Sequence, residues 1–424
     1  MEAMKEETIA IDGGRQLAGE IEVSGAKNAA LPCLFASLLS SKKVVLDNLP
    51  LVTDTMTSIE VLKSLGLAVR RQGKKATIDA AKAKSASCEV PLEQARAMRA
   101  SILALGPLLA KRGEAVVPLP GGCDFGSRPI DIHLRGLRKM GAEIEMKGGV
   151  LHARADGLRG QRLTLEFPSF TGTENLMMAA CLAQGETIID NAAREPEIAN
   201  LAALLVAMGA QIEGAGTSRI AIAGVASLGG ASHAVMPDRI EAGTYLAAAA
   251  AAQGDLTLRG CGGDELAMVL DKLEDAGAEI ESSQDRIGII MDRRPRAVDI
   301  ATAPYPGFPT DLQAQFLAVS SIAEGTARIV EGIWEQRFRT ADELRLMGAD
   351  IAVSGSSATV NGVAQLTGAH VQATDLRASA ALVIAGLCAS GTTVIHNAHH
   401  LQRGYEGLAA KLNALGARVR QAGA

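Results

Sequence analysis

LVAMGAQI, residues 205–212, is one of six occurrences of a single pattern, roughly L-x-x-[LMA]-G-[AL]-x-[IV]. The others are LKSLGLAV (62–69), LRKMGAEI (137–144), LEDAGAEI (273–280), LRLMGADI (344–351) and LNALGARV (412–419). Their glycines, Gly66, Gly141, Gly209, Gly277, Gly348 and Gly416, recur every 68 to 75 residues, which marks an internal repeat. Each copy reads as an amphipathic helix that stops on a C-terminal glycine and turns directly into a strand.

A second helix recurs out of phase with the first: NAALPCLFASLL, RASILALGPLLAKRG, NLMMAACLAQG, AGTYLAAAAAAQG, QAQFLAVSSIAEG and RASAALVIAGLCASG. These segments are Ala- and Leu-rich nearly all round, which predicts buried helices. Four end in small-polar-Gly punctuation and run into strands such as ETIIDN or DLTLRG. The repeat therefore reads strand, helix, strand, helix, strand, with helices inside and sheets outside. Three such units around a pseudo-threefold axis would bury three helices, so six units predict two similar lobes. The Gly- and Ser-rich stretch near 230–240 is the best boundary.

Composition narrows the function. At 424 residues and 48% hydrophobic, the chain exceeds one compact core. Charge is nearly balanced (42 Lys+Arg, 47 Asp+Glu) and aromatics are only 3%, which argues against nucleic acid as a partner. The six cysteines form no CxxC pair and no metal-like spacing with the seven histidines, so neither a disulfide framework nor a metal is expected. Cys33, Cys181 and Cys388 sit in apolar helical stretches and read as inert core thiols. With no apolar leader in MEAMKEETIAIDGG and no run long enough to span a bilayer, a cytoplasmic setting without membrane attachment is expected.

Three places break the repeat with polar residues. VPLPGGCDFGSRPIDIHLRGL (117–137) crowds Gly121, Gly122, Cys123, Gly126, Arg128 and Pro129 together, so a loop is expected between Pro118 and Pro129. A mobile loop with a thiol and a cationic fork suits closure over an anion, although a surface loop with an incidental cysteine has the same look. SGAKNAALP (24–32) puts Lys27 and Asn28 at a buried helix N-terminus, where anions are favoured; Lys27 alone would be a surface lysine. TAPYPGFPTDLQAQF (302–316) brings Asp311 to the start of another buried helix, where it reads as a cap or first-turn acid.

These motifs, with MRASILALGPLLA, NAAREPEI, PDRIEAGTY, ATDLRASAALVIAGL and RGYEGL, follow an order that resembles the UDP-N-acetylglucosamine enolpyruvyl transferase family from about Ile9 to Val419. The resemblance implies an inside-out α/β barrel: two lobes of three β-α-β-α-β units, with the active cleft between them. In that family the chain crosses twice between lobes. The implied division is 24–235 for the lobe with the Cys loop, and 1–23 plus 236–424 for the other.

The implied reaction moves the enolpyruvyl group of phosphoenolpyruvate to the 3′-hydroxyl of UDP-N-acetylglucosamine and releases phosphate, opening peptidoglycan synthesis. It needs a general acid, a general base and cations, but no cofactor and no metal. By the same resemblance Cys123 is the general acid, open to a phosphoenolpyruvate adduct and to alkylation by fosfomycin. Asp311 is the base or orienter at the sugar hydroxyl. Lys27, Asn28, Arg128, Arg337, Arg377 and Arg403 hold phosphoenolpyruvate, with Lys27 and Arg403 also counted as catalytic. The nucleotide sugar is assigned to Arg99, Arg128, Pro129, Ile130, Asp131 and Ile132. To these are added the stretch Phe167, Pro168, Ser169, Phe170 and Thr171, continuing to Thr173, together with Asp311 and Ile333. Glu195 and Glu197 stand behind them. Gln336, Gln402 and Phe125 depart from the family pattern. Two alternatives stay open: a paralogue that binds UDP-sugars in a regulatory role, and the related 5-enolpyruvylshikimate-3-phosphate synthase. The latter opens with a PGSKS-like motif and lacks the Cys loop.

Overall fold

The structure is a computed structural model that describes residues 7–82, 87–119, 121, 130–334 and 336–422. The chain divides into two compact units, Gly25–Met236 and Met1–Ser24 with Pro237–Ala424, hereafter the first and second units.

Six inner helices carry the core: α1 (Lys27–Ala36), α2 (Leu105–Arg112), α3 (Phe170–Ala180), α4 (Arg239–Ala252), α5 (Gln313–Ser321) and α6 (Leu376–Cys388). Every residue of α4 and α5 is buried, as is α6 from Leu376 to Leu387. Alanine makes this possible, because its small side chain lets helices approach closely, and α4, α5 and α6 pack on one another. α2 and α5 are each entered through a 3₁₀ turn, Arg99–Ala104 and Thr310–Leu312.

The six outer helices are Thr53–Ser64, Asp131–Lys139, Pro196–Ala207, Ala267–Asp275, Thr340–Leu346 and Leu408–Ala414. Each is followed by its repeat glycine at φ between 93° and 107°. All six close the same way. The glycine N–H reaches back three residues (Gly209 to Val206), and the next N–H reaches back five (Ala210 to Leu205). This is the Schellman arrangement, in which the residue after the glycine meets the one five earlier. It accounts for the pattern itself: the leading Leu and the Ala or Leu after Gly are the two bonded positions.

Among the described residues there are six sheets, five of four strands and one of three. Each outer helix runs into a strand that, in the first five repeats, folds back as an antiparallel hairpin, such as Glu143–Lys147 with Val150–Arg154. The repeat is thus one strand longer than the β-α-β-α-β unit expected. Its turns, such as the positive-φ pair Gly148 and Gly149, lie within short stretches that read as one strand. The sixth hairpin is completed from the other end of the chain: Arg418–Ala422 pairs antiparallel with Thr8–Asp12.

Parallel edge pairs complete the sheets. Arg162–Thr164 flanks α3 with Glu186–Asp190, and His370–Gln372 flanks α6 with Thr392–His396. Two edges are exchanged. Ala18–Glu22, just before α1, pairs with Asp255–Arg259 of the second unit, whereas Ala231–Ala234, just before α4, pairs with Lys43–Asp47 of the first. No described helix is long and apolar enough to cross a membrane.

Candidate active site

In the second unit, Asp311 occupies the middle of the 3₁₀ turn that opens α5. Its carboxylate is gripped from both sides: Arg337 Nη2 donates to Oδ1 at 2.8 Å and Arg377 Nη2 to Oδ2 at 2.7 Å. The arginine side chains are 4% and 7% exposed while Asp311 keeps 25%, so the acid faces outward from a buried cationic backing. Each carboxylate oxygen thus accepts from its own guanidinium group.

Tyr405 stiffens this arrangement. Its hydroxyl meets Arg377 Nη1 at 3.3 Å, Thr244 Oγ1 at 2.9 Å and Gln315 Nε2 at 3.3 Å. Gln315 Nε2 also donates to the Asp311 carbonyl at 3.0 Å. Burial works against the charge on Arg377, but the Asp311 carboxylate, with Asp238 behind it, outweighs it and holds the guanidinium firmly protonated. Burial raises the Tyr405 phenol, which stays neutral.

Ile333 lies in the loop after strand Thr326–Val330, where its N–H donates to Glu331 Oε1 at 2.8 Å. Arg403 ends the 3₁₀ stretch Ala398–Arg403, two residues before Tyr405. Of the three departures, Gln336 accepts from Arg339 Nη2 at 2.7 Å and Gln402 donates to Glu7 at 2.7 Å, while Phe125 lies outside the described residues.

In the first unit, Lys27 begins α1 with Asn28 beside it, and Lys27 Nζ lies 3.7 Å from buried Asp54. Thr171 and Arg99 both act on buried His133. Gly106 N–H donates to Asn175 Oδ1 at 2.7 Å, which fixes that amide, so Asn175 Nδ2 is the donor to Ile102 O and to His133 Nδ1 at 2.9 Å. His133 therefore carries its proton on Nε2, which faces Thr171 Oγ1 at 3.3 Å. Burial, and then Arg99, push His133 down to about 3. Ser169 caps α3 through Gly172 N–H at 3.2 Å, and a Cβ at Gly172 would meet Ile132. Ile130 precedes the helix that Asp131 begins, and Asp131 and Glu166 both pair with Arg135. Phe167 is exposed, and its carbonyl accepts Ser169 N–H at 2.7 Å; Pro168 and Phe170 are half-buried at the same entry to α3.

Glu195 and Glu197 lie near a third carboxyl, Glu174, which is fully buried on α3. Burial and then Glu197 and Glu195 push its pKa well above the usual carboxylate range, so Glu174 is a neutral acid. Cys123, Arg128 and Pro129 lie outside the described residues.

The sequence reading passed over Glu331, Tyr405, Gln315, Thr244, His133 and Asn175. The available signal was a polar residue inside an otherwise apolar run, as in AGTYLAAAA, QAQFLAV and NLMMAA.

A family model described as EPSP synthase (3-phosphoshikimate 1-carboxyvinyltransferase) matches residues 11–412. Among solved structures, the enolpyruvyl transferase NikO from Streptomyces tendae matches with a TM-score of 0.89 at 26% identity, over 98% of this chain and 99% of that one. EPSP synthase from Acinetobacter baumannii matches with a TM-score of 0.77 at 18% identity, over 98% of this chain and 100% of that one. A second structure of EPSP synthase from that organism gives 0.76 at 18%, over 97% and 99%; at this identity the likeness is one of fold.

Proposed function

Because the chain belongs to the EPSP synthase family of enolpyruvyl transferases, we propose that it transfers the enolpyruvyl group of phosphoenolpyruvate to the 3′-hydroxyl of UDP-N-acetylglucosamine. Phosphate leaves by addition and elimination. The observation that carries the reading is the Asp311 carboxylate, partly exposed and held by two buried guanidinium groups. A carboxylate so held is fixed in place, which suits the orienting of an acceptor alcohol.

In this reading C3 of phosphoenolpyruvate takes a proton, with Cys123 as the donor. The acceptor hydroxyl adds at C2 as its proton passes to Asp311; the Cys123 thiolate then takes back a proton from C3 as phosphate leaves from C2. Lys27, Arg128 and Arg403 balance the phosphate and carboxylate charges of the donor. Arg99, Thr171 and the 130–132 segment serve the uridine diphosphate. Support for the sugar nucleotide over a shikimate acceptor comes from SGAKN, the Cys loop and the remaining motifs quoted above. A place at the start of cell-wall synthesis in the cytoplasm follows from that substrate.

Phosphate release from phosphoenolpyruvate tests the proposal, with UDP-N-acetylglucosamine and shikimate 3-phosphate offered in separate assays. Release with the sugar nucleotide alone is the expected result. Release only with shikimate 3-phosphate, or with neither, would overturn it.

A further inference from the structure

Glu331 enters no step of the proposed reaction, yet its carboxylate collects hydrogen bonds from three separate segments of the second unit while the residue is 3% exposed. Thr302 Oγ1 donates to Oε1 at 2.8 Å, and Thr310 Oγ1 lies 2.9 Å from Oε2 and 3.0 Å from Oε1. The N–H groups of Ile333 and Trp334 donate to Oε1 at 2.8 and 3.0 Å. Gly332 N–H donates in turn to Thr302 Oγ1 at 2.9 Å.

These bonds close a circuit. Thr310 is the residue before Asp311. Ile333 and Trp334 lead into the 3₁₀ turn Arg337–Arg339, and Arg337 bonds Asp311. Glu331 thus ties the segment that delivers the carboxylate to the segment that delivers its guanidinium partner and the Ile333 main chain. We propose that Glu331 is a positioning residue that sets the Asp311 carboxylate and the Ile333 main chain at a fixed separation for the acceptor alcohol. This rests on the reading of Asp311 as the acceptor-orienting group.

Position and charge make opposite demands on a substitute. Gln keeps the reach of the side chain: its Oε1 accepts the two backbone N–H groups, and the Thr310 hydroxyl can reverse to accept from Nε2. Asp keeps the charge but withdraws it by one carbon–carbon bond, about 1.5 Å, beyond the reach of donors now at 2.8–3.0 Å. Positioning ranks Glu331→Gln above Glu331→Asp, and a purely electrostatic role ranks them the other way.

The test compares Glu331→Gln, Glu331→Asp, Thr310→Ser and Thr310→Val in steady-state phosphate release, using whichever acceptor the wild type turns over. Amide hydrogen exchange across 308–313 and 331–337 is followed in parallel without substrate. We expect Glu331→Asp and Thr310→Val to lose about 100-fold in kcat, the usual cost of misplacing a reacting group by an ångström, while Glu331→Gln and Thr310→Ser stay within about fivefold. The Ile333 and Trp334 amides should exchange faster in Glu331→Asp than in Glu331→Gln. Should Glu331→Asp fail to fold, the Thr310 pair decides, since it alters only the link to Asp311. A more active Asp than Gln variant, a Thr310→Val variant near wild-type kcat, or unchanged exchange would overturn the proposal. Failure of the wild type with UDP-N-acetylglucosamine counts against the substrate reading alone, because the exchange measurement needs no acceptor.

Discussion

His133 shows how a single side chain is committed by its neighbours. Asn175 can only donate toward Nδ1, so protonating that nitrogen would set two donors face to face. Burial and Arg99 hold its pKa at about 3, whereas in the unfolded chain a histidine titrates near ~6.5. The sign follows: below the unfolded value the unfolded state takes up a proton that the native state refuses, so stability falls as pH drops from about 6.5 toward 3, by at most about 1.4 kcal/mol per pH unit. Chemical denaturation of wild type and His133→Asn at pH 7, 5.5 and 4.5 should show a difference in stability that narrows with acid. A constant difference would show that His133 is not held neutral. Asp311 was legible as a first-turn acid and, by resemblance, as a functional one; it is a first-turn acid, and its carboxylate turns toward Arg337 and Arg377. The inert reading of Cys33 and Cys181 agrees with their full burial, which pushes Cys181 up to about 12 and Cys33 higher still, while Cys388 is only half-buried at the end of α6. The Glu331 circuit was not legible, because its partners at 302, 310 and 333 lie in separate segments that only the fold brings together.

The outer helices were legible because their termination is local. Leu, Gly and Ala or Leu at fixed offsets satisfy a Schellman closure wherever they occur, and all six copies do so. Gly209 isolates the backbone requirement: its φ is 107° and a Cβ there would meet nothing within 4 Å. Gly209→Ala should therefore cost only the left-handed strain, about 1–2 kcal/mol, read as a lowered denaturation midpoint. An unchanged midpoint would mean that the closure contributes nothing. Gly106→Ala should cost more, since its Cβ would come within 2.4 Å of the Asn175 carbonyl, in the middle of the His133 network. The inner helices were legible from their all-round Ala and Leu content. The second strand of each hairpin was not, because five-residue strands with a half-polar face resemble the loops between them.

At the scale of the molecule, six repeats account for the two units, and the chain closes one sheet with its own beginning. Thr8–Asp12 lies between Thr392–His396 and Arg418–Ala422. No local pattern announces such a pairing, because its partners are almost the whole chain apart. Asp311 belongs to the second unit, and Lys27, Arg99 and Thr171 belong to the first. In the proposed reaction Asp311 orients the 3′-hydroxyl of UDP-N-acetylglucosamine for addition to phosphoenolpyruvate. Addition turns C3 into a methyl group, so a reaction run in deuterium oxide should return deuterium to the vinyl carbon of the product. Mass spectrometry and proton NMR of that product are the most direct measurement. The expected product is a deuterated enol ether on the 3′-oxygen from the wild type, formed at least about 100-fold more slowly by Asp311→Asn. No enol ether on that oxygen, a product free of deuterium, or an undiminished rate in the variant would contradict it.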